Sequence, residues 1–212
     1  MFQDNISSGA DEAGRGPVFG PMVFAGVSAD EGKLEGLGIR DSKKCTRERR
    51  ERLYKEIKNR AEKVEVIKIG AEEIDEMRAC GRNLNAIEAE AFCSIIDRLG
   101  CAAIYIDSLG TSFEHELKCR YPGINIIAEF KADDNYRIVS AASIIAKVER
   151  DAEMDKIRKE LAGLLDEDVG SGYASDERTK RFLSSWFESF NCFPPHIRKS
   201  WLPARRSLNG RL

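Results

Sequence analysis

Apolar and polar residues are arranged along the chain in a way that predicts two strands at the start and then strands that alternate with helices. The stretches ISSGADEAG and PVFGPMVFAGVSA are predicted to form two strands that a Gly-Pro turn joins. VEVIKIG, CAAIYIDSLG and INIIAEF are predicted to form three more strands. CAAIYIDSLG is almost entirely apolar, so we expect it to be a central strand that is buried on both faces.

Helical periodicity is clearest in NLNAIEAEAFCSIIDRLG, where apolar residues recur every three or four positions from Leu84 to Leu99. TRERRERLYKEIKNRAEK is predicted to form a helix with Thr46 as its N-cap. The other predicted helices are AEEIDEMRAC, TSFEHELKCRYPG, the stretch from Ile138 to Leu161, and SDERTKRFLSSWF. Together, these elements predict an α/β fold in which a mixed sheet carries helices on its faces.

The composition is that of a globular protein. The chain has 212 residues, 42% hydrophobic and 33% charged, which is enough for one domain with a sizeable core and a small appendage. The net charge is −2, although the residues after Glu188 include several arginines and no acid. No apolar run has the length of a membrane span and the N-terminus has no signal pattern, so we expect a cytoplasmic protein that does not bind membranes. The six cysteines form no C-x-x-C motif and are accompanied by only two histidines, which argues against a zinc site.

The stretch GADEAGRGPVFGP near the start of the chain admits several interpretations. Its glycines follow a G-x-G-x-x-x-G spacing from Gly14, prolines interrupt it, and a strand rather than a helix follows. It therefore fits neither a dinucleotide-binding fingerprint nor a P-loop. Two interpretations stay open: a glycine-rich hairpin with a surface Asp-Glu pair, or a catalytic pair, Asp11 and Glu12, followed by a substrate-binding turn.

Two further acids stand at the ends of predicted strands. Asp107 ends AAIYID, and Asp133 follows INIIAEF. Each has an ordinary interpretation, as a helix N-terminal acid and as a loop acid, respectively. Alternatively, the acids converge on a hard cation such as Mg²⁺, which prefers carboxylate oxygens. Asp11 and Glu12 would point to opposite faces of a regular strand, so both can reach one site only if the strand ends or bends, and Gly14 allows a bend.

The long predicted helix carries a row of polar residues. Ser140, Ser143, Lys147 and Asp151 fall on one face. Two hydroxyls and a lysine in line could hold successive phosphates, but an ordinary amphipathic helix would show the same row. RDSKKCTRERR, which contains Lys43, has the same two interpretations: a phosphate-binding segment or a solvated helix start.

Six segments resemble type 2 ribonuclease H, that is ribonuclease HII, in its archaeal form, which is similar to the eukaryotic catalytic subunit. They are ADEAGRGPVFGPMVFAGV, DSKK, YIDSLG, KADDNYRIVSAASIIAKVERD, GSGYASD and IRKSW. The resemblance runs from residue 9 to about Trp201 and keeps the family's order. It departs from the family at Arg137 and Ala174, where family members usually have proline, and neither position is a proposed metal ligand.

The resemblance implies an RNase H-like fold, with a five-stranded mixed sheet flanked by helices and a small helical C-terminal extension. We expect residues 1–165 to form the catalytic domain and residues 166–212 to complete the substrate site. The implied activity is endonucleolytic cleavage of RNA in RNA–DNA hybrids and at single ribonucleotides embedded in duplex DNA. The protein would use Mg²⁺ or Mn²⁺, act as a monomer, and start ribonucleotide removal after DNA replication.

The family's functional residues carry over to matching positions of this chain. Its catalytic and metal-binding acids correspond to Asp11, Glu12, Asp107 and Asp133. Its substrate-binding residues correspond to Gly14, Arg15, Gly16, Lys43, Ser143, Lys147 and Tyr173. The resemblance implies that a Gly-Arg-Gly turn reads the ribose 2′-hydroxyl, and that two metal ions bracket the scissile phosphate to leave 5′-phosphate and 3′-hydroxyl ends.

Two rival functions fit parts of the same pattern. One is another RNase H-like two-metal nuclease that cuts DNA, and the other is a hybrid-binding module without catalysis. The Gly-Arg-Gly and GSGY segments favour the ribonuclease over the first rival. The four acids speak against the second.

Overall fold

The computed structural model describes residues 6–39, 45–107 and 110–201. The predicted substrate-binding residue Lys43 lies outside the described residues. Within the described ranges, no helix is both long enough and apolar enough to cross a membrane.

The strands form one five-stranded mixed sheet, as predicted. They are β1 (Ile6–Ala13), β2 (Met22–Asp30), β3 (Lys63–Ile69), β4 (Ala103–Asp107) and β5 (Asn125–Glu129). Their order across the sheet is β3-β2-β1-β4-β5. β1 pairs antiparallel with β2 and parallel with β4, and β4 pairs parallel with β5. Because β1 and β4 are parallel neighbours, their carboxyl ends lie at the same edge of the sheet.

The predicted helices are all present in the structure. The helices are α1 (Glu31–Leu34), α2 (Arg47–Arg60), α3 (Ala71–Ala79), α4 (Leu84–Leu99), α5 (Thr111–Arg120), α6 (Ala132–Asn135), α7 (Arg137–Leu161) and α8 (Glu177–Phe190). Thr46 caps α2 as predicted, since its side chain accepts a hydrogen bond from the backbone N–H of Arg49 at 3.3 Å. The four-residue helices α1 and α6 were not predicted, because they are too short to show a period.

The chain divides into two compact units, each made of three separate segments of the sequence. The first unit comprises Met1–Ala13, Val23–Ile67 and Asn85–Val148, and the second comprises Gly14–Met22, Lys68–Leu84 and Glu149–Leu212. This division describes packing and not independent folding, so the domain boundary expected between residues 165 and 166 stays a prediction.

The core of the first unit lies against both faces of the sheet. At Gly9 in β1, an added Cβ would lie 2.6 Å from the carbonyl carbon of Ile138, so the strand and α7 are in backbone contact. At Gly26 in β2, an added Cβ would lie 2.4 Å from a side-chain carbon of Ile95 in α4. Glycine at these two positions therefore allows a helix to pack closely on each strand.

β4 lies between β1 and β5, as predicted for a central strand. Its burial alternates, however: Ile104 and Ile106 are buried, whereas Ala103, Tyr105 and Asp107 are partly exposed. The expected burial on both faces is therefore wrong. The fold covers one face of β4 fully and leaves the residues of the other face in partial contact with solvent.

The second unit has an apolar core of its own. Val18 and Phe19 pack there with residues from the C-terminal half of α7 and with the apolar face of α8. The rings of Phe19 and Phe182 meet edge to face with their centroids 5.6 Å apart. This core fixes the segment that follows Gly14, Arg15 and Gly16 in the chain.

Candidate active site

Three carboxylates of the first unit come together. Asp11 is near the end of β1, Asp107 is the last residue of β4, and Asp133 is in α6. Each offers one carboxylate oxygen, and these oxygens all lie within 4.8 Å of one another. Asp11 and Asp133 are buried, at 4% and 6% exposure. The parallel pairing of β1 with β4 explains why acids far apart in the chain meet at one edge of the sheet.

Glu12 is not one of these three carboxylates. β1 stays paired with β2 through Ala13, and Asp11 and Glu12 face Ala25 and Phe24, respectively, in regular register. Adjacent residues of a regular strand point to opposite faces. The expected bend does not occur before Ala13. The Glu12 side chain nevertheless hydrogen bonds with the Asp11 side chain, and its charge raises the pKa of Asp11, so Glu12 lies next to the cluster. Its role as a metal ligand stays a prediction.

Asp133 is positioned by hydrogen bonds around a left-handed residue. Lys131, which precedes α6, has φ 60. The N–H of Ala132 then donates to Asp107 Oδ1 at 3.3 Å, so one cluster acid fixes the start of the helix that carries another. The hydroxyl of Ser140 donates to the carbonyl oxygen of Asp133.

The first half of α7 contributes two polar side chains that interact with the cluster. Ser143 is fully buried, and its hydroxyl hydrogen bonds with the Asp11 carboxyl. Lys147 Nζ donates to Ser143 Oγ at 2.7 Å, and its charge stabilises the Asp11 carboxylate. The predicted polar row is therefore real, and in this structure it contacts an acid. Phosphate contact by Ser143 and Lys147 stays a prediction.

The electrostatics of the cluster suit a divalent cation. Burial raises the pKa of Asp11 well above its ordinary value, and the neighbouring charges of Glu12 and Asp107 raise it further. Burial, followed by the charges of Glu88 and Asp107, raises the pKa of Glu12 to about 7. The hydrogen bond from Ser143 and the charge of Lys147 offset only part of this for Asp11. Clustered carboxylate oxygens, two of them on buried side chains, are a fitting donor set for Mg²⁺ or Mn²⁺.

One acid near the site was missed in the sequence. Glu88 in α4 is only 1% exposed, and its charge is the second largest cause of the raised pKa of Glu12. A signal was available, since Glu88 follows Leu84 by four positions and so falls on the apolar face of its helix. A charged residue on a buried face needs an electrostatic or hydrogen-bonding reason.

The Gly-Arg-Gly segment belongs to the second unit and follows Glu12 after one intervening residue. Gly14 has φ 91, a conformation that favours glycine, and an added Cβ would lie 2.4 Å from Arg150 Nε. Gly14 is buried, Arg15 is partly exposed and Gly16 is exposed. The turn therefore packs on a buried arginine at its start and opens to solvent at its end.

Tyr173 lies beside this turn. An added Cβ on Gly16 would be 3.5 Å from Tyr173 Cε1. The carbonyl oxygen of Gly172 accepts hydrogen bonds from the N–H groups of Val18 and Phe19, at 2.8 and 3.2 Å. Tyr173 is 42% exposed. The two predicted substrate-binding segments are thus brought together, with a glycine and an aromatic ring on the solvent side.

Two buried arginines of the second unit were also missed in the sequence. Arg150 donates to the carbonyl oxygen of Phe19 at 3.2 Å, and its guanidinium carbon lies 5.7 Å from the centre of the Tyr173 ring. Arg198, from the IRKSW segment, is fully buried. The periodicity of the sequence predicts burial of neither arginine, because each is held by contacts with residues that are distant along the chain.

Comparison with known proteins agrees with this geometry. The family model for ribonuclease HII matches residues 8–203. The chain belongs to the ribonuclease HII family. It is therefore a metal-dependent hydrolase with ribonuclease H activity on RNA–DNA hybrids, and the acidic cluster is where the family assignment and the geometry coincide.

Archaeal members of the ribonuclease HII family are similar over nearly the whole chain. The ribonuclease HII of Methanothermobacter thermautotrophicus is 44% identical over 204 residues, which cover 93% of this chain and 97% of that protein. The crystal structure of ribonuclease H2 from Pyrococcus horikoshii OT3 is 37% identical with a TM-score of 0.84, covering 97% of this chain and 98% of that one. The Archaeoglobus fulgidus enzyme, solved in a PCNA:RNase HII complex, is 41% identical with the same TM-score, covering 92% and 93%.

Proposed function

We propose that this ribonuclease HII cuts both RNA–DNA hybrids and duplex DNA that contains a single ribonucleotide, by two-metal-ion hydrolysis that leaves 5′-phosphate and 3′-hydroxyl ends. The observation that carries the proposal is the group of Asp11, Asp107 and Asp133 oxygens within 4.8 Å of one another. The adjacency of Gly16 and Tyr173 supports the substrate class.

The acids have distinct roles in this proposal. Asp11, Asp107 and Asp133 would hold Mg²⁺ or Mn²⁺ through their clustered oxygens, and Glu12, whose side chain hydrogen bonds with that of Asp11, would be a further metal-binding acid. Divalent cations bound there supply activation of water for in-line attack and neutralisation of charge on the leaving 3′-oxygen. Ser143 and Lys147 favour the ionised form of Asp11 against the effect of burial, and the hydrogen bond from Ser143 helps to position its carboxyl.

The second unit would recognise the sugar. The 2′-hydroxyl can both donate and accept a hydrogen bond, and it is the group that distinguishes RNA from DNA. Backbone groups of Gly14, Arg15 and Gly16 can approach a ribose closely, because the glycines carry no side chain that would intrude. Tyr173, exposed beside Gly16, would press against the sugar of the neighbouring nucleotide. A deoxynucleotide would leave the polar turn without its partner, and such a loss discriminates strongly.

The test compares three labelled duplexes of one sequence: an RNA–DNA hybrid, a DNA duplex with one ribonucleotide, and an all-DNA duplex. We expect cleavage of the first two in Mg²⁺ or Mn²⁺, no cleavage in chelator, and no cleavage of the third. The ends of the products are mapped by sensitivity to phosphatase and ligation.

Each alternative outcome has a distinct meaning. Cleavage of the all-DNA duplex would favour an RNase H-like DNA nuclease, and binding of the hybrid without cleavage would favour a non-catalytic module. Cleavage of the hybrid with an intact single-ribonucleotide duplex would contradict the proposed substrate while keeping the family activity. A monomeric state and a cytoplasmic location are further parts of the proposal, which gel filtration and cell fractionation test.

A further inference from the structure

The Arg198 side chain donates three hydrogen bonds to backbone carbonyls in and just after the Gly-Arg-Gly turn. Its Nε donates to the carbonyl oxygen of Gly20 at 3.0 Å, Nη1 to that of Arg15 at 3.0 Å, and Nη2 to that of Gly14 at 2.6 Å. Its own backbone N–H donates to the carbonyl oxygen of Val18 at 2.8 Å. One residue from the far end of the chain therefore fixes four points along the segment from Gly14 to Gly20.

The hydrogen bonds of Arg198 determine where the N–H groups of the turn point. The carbonyl of Gly14 belongs to the same peptide group as the N–H of Arg15, and the carbonyl of Arg15 to the same peptide group as the N–H of Gly16. The described residues contain no cis peptide bond, and in a trans peptide the C=O and N–H point in opposite directions. Because Arg198 takes both carbonyls, the N–H groups of Arg15 and Gly16 point away from it.

The positive charge also changes the strength of these donors. A cation that binds a carbonyl oxygen polarises the whole peptide group, which makes its N–H a stronger hydrogen-bond donor. Charge-assisted hydrogen bonds are roughly twice as strong as neutral ones. The two N–H groups that face away from Arg198 are therefore both oriented and strengthened by one side chain.

Burying this charge is costly, which argues for more than a packing role. Arg198 is 0% exposed, and burial together with the charge of Arg150 lowers its pKa. The hydrogen-bond acceptors of its guanidinium among the described residues are backbone carbonyls and not carboxylates. The ring of Trp201 lies 5.0 Å from its guanidinium carbon. An apolar side chain would fill the space at lower cost, whereas only a forked cation can hold several carbonyls at once.

The turn also has an open side. Gly16 is exposed, and Tyr173 beside it is 42% exposed. A ligand that reaches Gly16 from solvent would meet the N–H of a peptide group whose carbonyl is already bound.

From these observations we infer that Arg198 is a positioning residue for ribose recognition: it orients and polarises two peptide groups so that the N–H groups of Arg15 and Gly16 bind the 2′-hydroxyl oxygen. The inference rests on the proposed role of the Gly-Arg-Gly turn. It assigns to the IRKSW segment the discrimination of RNA from DNA, with no contact between Arg198 and the nucleic acid.

The test uses proteins that also carry Asp133→Asn and are therefore expected not to cleave the duplex. Affinity in Mg²⁺ is measured for two duplexes that differ in a single 2′-hydroxyl, and the readout is the affinity for the ribonucleotide duplex divided by that for the all-DNA duplex. Arg198→Lys keeps the charge but loses the fork, so the ratio is expected to fall about tenfold, as for the loss of well-aligned hydrogen bonds. Arg60→Lys is the control, because Arg60 in α2 also donates to a backbone carbonyl, that of Lys33, at 3.0 Å, and it should leave the ratio unchanged.

A second variant covers the case in which Arg198→Lys does not fold, as judged by cooperative thermal unfolding. Trp201→Leu removes the ring next to the guanidinium and leaves all three acceptors in place, so the ratio should fall by about threefold, the size of a cation–π contact. If the Asp133→Asn protein itself shows no preference for the ribonucleotide, the proposed function of the turn fails. If that preference exists and every folded variant at 198 and 201 keeps it within twofold, the inference about Arg198 alone is overturned.

Discussion

At the scale of single residues, the site depends on carboxylates that are held close together at a cost. Asp11 is buried next to two other acids, and its raised pKa records the unfavourable energy of that arrangement. Ser143 and Lys147 lower this cost only in part. A site that is strained in this way gains from a divalent cation, and each acid should therefore matter far more for catalysis than for folding.

Asp133→Asn tests this directly. The substitution removes one charge from the cluster while keeping the shape of the side chain, so we expect cleavage of an RNA–DNA hybrid to fall by at least about a hundredfold, as for the loss of several kcal/mol of charge stabilisation. Binding of the hybrid should persist. Asp134→Asn, at the exposed neighbouring position, is the matched control and should cut like the parent. Equal activity of the two variants would rule out the metal role of Asp133.

The pKa of Glu12 predicts how stability depends on pH when metal is removed. The pKa is 4.5 in the unfolded chain and about 7 in the folded one, so between these values the folded state holds the proton more tightly. The contribution of Glu12 to the free energy of unfolding is therefore fully present below about pH 4.5 and is lost as pH rises through about 7. Urea unfolding in chelator should show this decline, and Glu12→Gln should reduce it. The exposed control Glu48→Gln should not; a decline of unchanged size in Glu12→Gln would contradict the assignment.

At the scale of elements, the site is created where β1, β4, α6 and α7 meet. The parallel pairing of β1 with β4 places Asp11 and Asp107 at one edge, and the N–H of Ala132 bonds to Asp107 to place α6. α7 lies in backbone contact with β1 at Gly9. The geometry of the acidic cluster therefore depends on close packing between a strand and a helix.

Gly9→Ala should break this packing. The added Cβ would lie 2.6 Å from the Ile138 carbonyl carbon and 2.7 Å from Val139 N, and these are backbone atoms that cannot rotate away. We expect a loss of about 1–3 kcal/mol in the free energy of unfolding, typical of overpacking. Gly123→Ala, where nothing lies within 4 Å of the added Cβ, is the control. Equal stability of the two variants, measured by denaturant unfolding, would show that β1 and α7 are not in backbone contact.

The sequence predicted the elements better than their connections. Strands and long helices carry their periodicity in neighbouring residues, so β4 and α7 could be placed from the pattern alone. α6 could not, because it depends on the left-handed Lys131 and on a hydrogen bond to Asp107, which is 25 residues away. The four acids came from their positions at strand ends together with the family resemblance. The placement of Glu12 beside Asp11 but outside the group of three clustered oxygens, and the burial of Arg198, depend on tertiary structure.

At the scale of the whole molecule, charge gives no general attraction for nucleic acid. The net charge is −2, so binding of a duplex has to come from lysines and arginines placed locally against phosphates. The proposed function thus requires local basic contacts to phosphates together with an acidic metal site.

This arrangement predicts a strong dependence of duplex affinity on salt. Each phosphate that a lysine or arginine neutralises releases counterions, so the logarithm of the affinity should fall linearly with the logarithm of salt concentration. Fluorescence anisotropy with the Asp133→Asn protein, which is expected not to cleave the duplex, measures the slope over a series of NaCl concentrations. A flat line would mean that phosphate contacts contribute little, and recognition would then depend on the sugar and the metal alone.

The most direct test of the central claim is anomalous diffraction from crystals of the protein grown or soaked with Mn²⁺. We predict an anomalous peak among the carboxylate oxygens of Asp11, Asp107 and Asp133, and no peak at that place in Asp133→Asn crystals. A parent crystal that binds Mn²⁺ elsewhere, with these three carboxylates empty at saturating metal, would contradict the account.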